Sequence, residues 1–167
     1  MARKVNLKTL LQNSKLSVNV TGTATGGTDA LFDGNSVDSA LVIEQDGPLE
    51  VVELVFDPIL QGREFQLILT YQGTYNGSIE ANGNTIFNIS DSASNTNDKQ
   101  IRRTFSIGDN SGLQNLTFNL GSTTSGNTDS HTLHEIELFI TSVADPFEFN
   151  DSLLSSKAWN SSRYDGR

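Results

Sequence analysis

The chain has 167 residues, with 20 acids against 11 lysines and arginines, a net charge of −9 and no cysteine. That length suits one domain with end segments, and the cysteine count excludes a disulfide-stapled scaffold. No apolar run approaches membrane-spanning length, and abundant Gly, Ser, Thr and Asn suit short strands joined by turns better than a helical bundle.

Charge is segregated along the chain. Residues 1–15 carry Arg3, Lys4, Lys8 and Lys15 and no acid; residues 16–156 carry four bases and nineteen acids; residues 157–167 carry three bases and one acid. An acidic body does not track nucleic-acid phosphates. The basic ends either seek acidic surfaces on partners or are ordinary solvated charge. Without cysteine, and without an apolar leader in residues 1–15, the expected setting is intracellular, bacterial or viral.

Residues 1–15 read as an N-terminal arm in which Leu7, Leu10 and Leu11 share a helical face too short to stand alone. A first strand covers 16–20, with Leu16, Val18 and Val20 on one side, and a Gly/Thr loop follows over 21–28. Strands are expected at 40–44 and 50–56, joined by the Gln45-Asp46-Gly47-Pro48 turn. Residues 65–71 alternate Phe65, Leu67, Leu69, Tyr71, while Ile68 faces the other way and implies cover on both sides.

Two Asn-Gly dipeptides, Asn76-Gly77 and Asn82-Gly83, flank 78–80 as hairpin signals. Strands at 85–89, 101–107, 114–120 and 132–141 complete the pattern, with polar loops at 90–100 and 121–130. In the last strand Ile136, Leu138 and Ile140 share one face, and Glu135, Glu137 and Phe139 the other. Eight or nine short strands with steady turns describe an all-β antiparallel sandwich of jelly-roll type. It comprises the arm at 1–15, the sandwich at 16–141 and a C-terminal extension at 142–167.

Three pieces, "ALFDGN" near the start, "LEVVELVFD" in the middle and "LHEIELFIT" at the close, resemble the discoidin or coagulation-factor type C domain, one of the galactose-binding-like jelly rolls. The resemblance spans residues 16–141. It implies a structural Ca²⁺ joining the early turn to the closing strand, with carboxylates from Asp33 and Glu135, a carbonyl from Asn35 and a further oxygen from Asp38 or Ser39. Such a cation wants six to eight oxygens. The other reading of Asp33-Gly34-Asn35 is a tight turn with no ion. The fold family also implies sugar binding, for which Arg63, Tyr71, Tyr75 and His131, all near expected loops, are the candidates.

Enzyme signatures are missing: there is no Gly-x-Ser-x-Gly, P-loop or His-Glu-x-x-His motif. His131 and His134, three apart on a strand, face opposite sides and do not share a metal. Glu135 and Glu137 share a face about 7 Å apart, a spacing glycosidases use, but a closing strand of a sandwich is a poor place for catalysis. The chain therefore reads as a non-enzyme.

The tail carries Trp159, Arg163, Tyr164 and Arg167, and its ending "SSRYDGR" resembles that of bacteriophage virion proteins. The reading reached is a virion structural protein of the tail, neck or capsid-accessory apparatus, assembled in the host cytoplasm. Neighbouring virion subunits or further copies of the chain would be held through Arg3, Lys4, Lys8, Trp159, Arg163, Tyr164 and Arg167. The alternative is a carbohydrate-binding module or adhesin that recognises host surface glycans.

Overall fold

Alternating apolar residues build two antiparallel sheets whose inner faces meet. The computed structural model describes residues 2–34, 40–44, 50–73, 75–91, 98–108, 112–120 and 130–142. Its elements are β1 (Arg3–Lys4), α1 (Leu7–Gln12), β2 (Leu16–Thr21), β3 (Ala24–Thr25), a 3-10 turn (Thr28–Phe32), β4 (Leu41–Glu44), β5 (Val51–Leu60), β6 (Glu64–Gly73), β7 (Tyr75–Ala81), β8 (Asn84–Asp91), β9 (Lys99–Ser106), β10 (Leu113–Asn119) and β11 (Ser130–Ser142). One sheet runs β3-β4-β11-β6-β9, with β1 also on β11; the other runs β2-β5-β10-β7-β8. The Gln45–Pro48 turn and the 121–129 part of the second long loop lie outside the described residues.

The alternation read along each strand becomes burial. Phe65, Leu67, Leu69 and Tyr71 of β6 and Leu133, Ile136, Leu138 and Ile140 of β11 face Val52, Leu54 and Phe56 of β5 and Leu116 and Phe118 of β10, all in one apolar core. Ile68 points to the outer face and is nevertheless 4% exposed, as double-sided cover of the strand requires.

Only one of the two Asn-Gly pairs turns the chain. Asn82 and Gly83, at φ 51° and 83°, join β7 to β8 as a two-residue hairpin loop, the backbone for which Asn-Gly is suited. Asn82 also donates to the Gly112 carbonyl at 2.8 Å and accepts the Gln114 amide at 2.8 Å, tying the hairpin to β10. Asn76 and Gly77 instead continue β7, paired with Ser90 and Ile89. Burial of Tyr75, Ile79 and Ala81 on one face of β7 outweighs the local turn preference.

The N-terminal segment corrects the expectation of an extended arm. β4 pairs with only the first part of β11, residues 130–133, so the rest of that edge is open, and β1 takes it at Phe139 and Ile140. The Val5 amide donates to the Leu138 carbonyl at 2.8 Å, and Val5 and Leu7 are 8% and 4% exposed. Asn6 caps α1 by accepting the Thr9 amide at 3.1 Å. Helix α1 is too short to persist alone but holds here because Leu7, Leu10 and Leu11 pack on the core. Residues 2–15 are thus part of the body.

Candidate functional site

Leu31 and Phe32, 0% and 6% exposed, anchor the end of the 3-10 turn in the core. The next two residues, Asp33 and Gly34, are thereby held at the surface over β11. Gly34 adopts φ 80°, a left-handed backbone that glycine enters without strain. Its amide donates to both carboxylate oxygens of Glu135, at 3.2 and 3.3 Å.

Glu135 reaches this position because β11 carries a bulge. Leu133 pairs with Tyr71 and Glu135 with Thr70, so His134 is the extra residue and the in-out alternation changes phase there. Without the bulge Glu135 would share the inner face with Leu133. With it, Glu135 lies on the outer side, 6% exposed, while Leu133 and Ile136 both stay in the core. Two core residues three apart on one strand were the sequence signal of this bulge.

Burial pushes the Glu135 carboxyl up to about 7, and the nearby Asp33 and Glu137 carboxylates add to the rise. The Gly34 amide opposes it, and a side-chain hydrogen bond with Asp33 places the two carboxyl groups in contact. A cleft of about 370 Å³ opens beside this pair. It is lined by Lys4, Asn6 and Lys8 of the N-terminal segment, by Asp33 and Glu135, and by Phe32. Lys4 is drawn across the strand to Glu137, with Nζ 3.1 Å from Oε1. The lining offers hydrogen-bond donors and acceptors of both charges.

The structure brings some expected site residues together and separates others. Asp33 and Glu135 are in contact, while Asn35 and Asp38 lie outside the described residues. Among the described residues no group of three His, Asp or Glu side chains forms that could hold a metal ion. His131 faces the interior beside Ile43, and His134 contacts Asp98 with Nε2 3.3 Å from Oδ1, so the two histidines do face opposite ways.

The expected sugar-binding set is corrected. Tyr71, Tyr75 and His131 are 4%, 0% and 1% exposed. The tyrosine rings meet edge-on at 5.8 Å, and the Tyr75 hydroxyl donates to the Ser78 carbonyl at 3.2 Å. Apolar packing takes these residues inward, so they present no platform to a sugar. Arg63 precedes β6 and Tyr71 lies near its far end, so those two do not share a site. Arg3, Lys4 and Lys8, expected on a free arm, sit on the body, and Trp159, Arg163, Tyr164 and Arg167 lie outside the described residues. Asn6 and Phe32 were not singled out from sequence; only the return of the N-terminal segment makes them neighbours of Asp33.

No family model and no curated protein matches the sequence. Solved structures do match the fold, which is the jelly-roll sandwich of carbohydrate-binding modules. A family 32 carbohydrate-binding module of Clostridium perfringens NanJ, solved with galactose, superposes with a TM-score of 0.51 at 9% identity, over 83% of this chain and 99% of that one. A second such module, CpGH89CBM32-4 of Clostridium perfringens with GlcNAc-α-1,4-galactose, gives 0.48 at 13% identity over 82% and 94%. The enzymatically active domain of bacteriophage CBA120 tailspike protein 4 gives 0.48 at 18% identity, over 75% of this chain and 19% of that one.

Proposed function

We propose that this chain is a non-catalytic carbohydrate-binding sandwich, with the cleft between the N-terminal segment and Asp33 and Glu135 as its sugar site. The observation that carries the reading is the convergence of Lys4, Asn6, Lys8, Asp33 and Glu135 on one cleft. Sugar hydroxyls are fixed by convergent polar and charged groups, which this cleft supplies in both charges. The likeness in fold to a galactose-binding module supports the class of ligand. A glycan array with galactose- and N-acetylglucosamine-terminated sugars tests it. The expected result is binding that Lys8→Ala and Asp33→Asn weaken roughly tenfold or more, about 1.4 kcal/mol, with unchanged folding. Absence of signal from every glycan would end the proposal.

A structural Ca²⁺ bridging Asp33 and Glu135, with further oxygens from Asn35 and Asp38, belongs to the same reading. The donor chemistry suits it: two carboxylates in contact repel, and a divalent cation relieves that repulsion. Its work would be to fasten the early turn to the closing strand. The reading as a virion structural protein held by its ends rests on residues 143–167 alone, because the N-terminal segment is built into the sheet.

A further inference from the structure

Between residues 16 and 142 the only basic residues are Arg63, Lys99, Arg102 and Arg103. The fold collects all four along one edge. Lys99, Arg102 and Arg103 lie on β9, and the Arg63 carbonyl accepts the Ile107 amide just past the end of that strand, at 3.1 Å. Strand β9 has β6 on one side and, among the described residues, no strand on the other. An open edge presents backbone donors and acceptors to any extended peptide.

The side chains along this edge are sorted by face. Phe105 and Arg103 pair with Phe65 and Leu67 and so share the inner face, whereas Arg102 pairs with Ile68 on the outer face. The Arg103 guanidinium lies 5.8 Å from the ring of Phe87, which belongs to β8, an edge strand of the other sheet. Phe87, Ile89 and Ile101 are only partly buried there. The gap between the two sheet edges is therefore apolar inside, with Arg102 and Thr104 exposed outside.

One segment of the chain complements this edge. Residues 145–151 read Asp-Pro-Phe-Glu-Phe-Asn-Asp, with Phe147 and Phe149 of one parity, Glu148 between them, and three acids without a base. They follow β11 closely: the Ser142 carbonyl accepts the Arg63 amide at 2.8 Å, which sets Ser142, Arg63 and Ile107 side by side at one end of the sheet. From β11 to a position beyond β9 is three strand spacings, about 14 Å. Residues 143–147 can span about 16–18 Å.

We propose that residues 147–151, tethered by 143–146, bind the free edge of β9 in the same chain, antiparallel to it. Phe147 and Phe149 cover the inner row at Phe105 and Arg103, and Glu148 lies on the outer row by Thr104 and Arg102. The short tether keeps the segment at high effective concentration, which favours its own edge over a second copy's.

The natural lack of cysteine makes the test direct. In the full chain, Thr104→Cys with Glu148→Cys is oxidised mildly and analysed by non-reducing electrophoresis and peptide mapping. Thr104 is exposed, so its replacement leaves the core intact. The expected product is a monomer with an intrachain disulfide, formed roughly tenfold more slowly when Phe147→Ser and Phe149→Ser are added. Free thiols, or cross-linked dimers in place of the monomer, overturn the proposal. So does equally fast cross-linking of Glu148→Cys to Asn19→Cys on β2, the far edge of the other sheet.

Discussion

Glu135 accepts the Gly34 amide with both carboxylate oxygens, at 3.2 and 3.3 Å, across 101 positions of sequence. The contact closes the long stretch between the 3-10 turn and the last strand. It depends on two local features, the left-handed backbone of Gly34 and the bulge at His134, each of which aims its group at the other.

The raised Glu135 carboxyl fixes the direction of a pH effect. Its ordinary value is 4.5 and its folded value about 7. Between these the folded chain holds a proton that the unfolded chain has released, so stability falls as pH rises through this window and the loss is complete above about 7. Thermal melts from pH 5 to 8 should show this slope, and Glu135→Gln should flatten it. An unchanged slope in the variant would mean that other groups cause it.

Calcium should act in the opposite sense. If Asp33 and Glu135 share a cation, millimolar Ca²⁺ at pH 7.5 raises the melting temperature and Mg²⁺ does so less, because Mg²⁺ demands near-ideal octahedral geometry. Asp33→Asn and Glu135→Gln should each remove the calcium response. Calorimetry without binding heat in the intact protein would remove calcium from the account.

Tyr75 should matter for stability and not for sugar binding. It is fully buried, and truncation of a buried aromatic ring costs about 3–5 kcal/mol. Tyr75→Ala should lower the urea midpoint accordingly. Tyr75→Phe keeps the ring and loses only the bond to the Ser78 carbonyl, at about 1 kcal/mol. Selective loss of glycan binding by Tyr75→Phe, with full stability, would reverse this assignment.

The N-terminal segment should behave as core. Leu7→Ala removes a side chain 4% exposed and should cost about 2–4 kcal/mol in denaturant titrations. Lys4→Ala loses only an exposed pair with Glu137 and should change stability by no more than about 1 kcal/mol. A neutral Leu7→Ala would restore the arm.

Much of the fold was legible because strand alternation is a local property. Phe65 to Tyr71 and Ile136 to Ile140 carry period-two patterns that admit one burial, and Asn82-Gly83 favours the left-handed turn that joins β7 to β8. The candidate site was half legible. Asp33 and Glu135 came from a resemblance, but their contact requires a bulge whose trace, Leu133 and Ile136 both apolar, conflicts with simple alternation.

What the sequence alone determined is the class of architecture and the rows of core residues, since side-chain direction along a strand follows from residue spacing. The tertiary structure alone decided where the ends of those strands go. β11 outruns β4, so β1 completes its edge and carries Lys4, Asn6 and Lys8 to the cleft. Tyr71, Tyr75 and His131, near loops in sequence, are drawn inside because the facing sheet closes over them. Pairing between distant strands is set by the whole packing of two sheets, and no single segment encodes it.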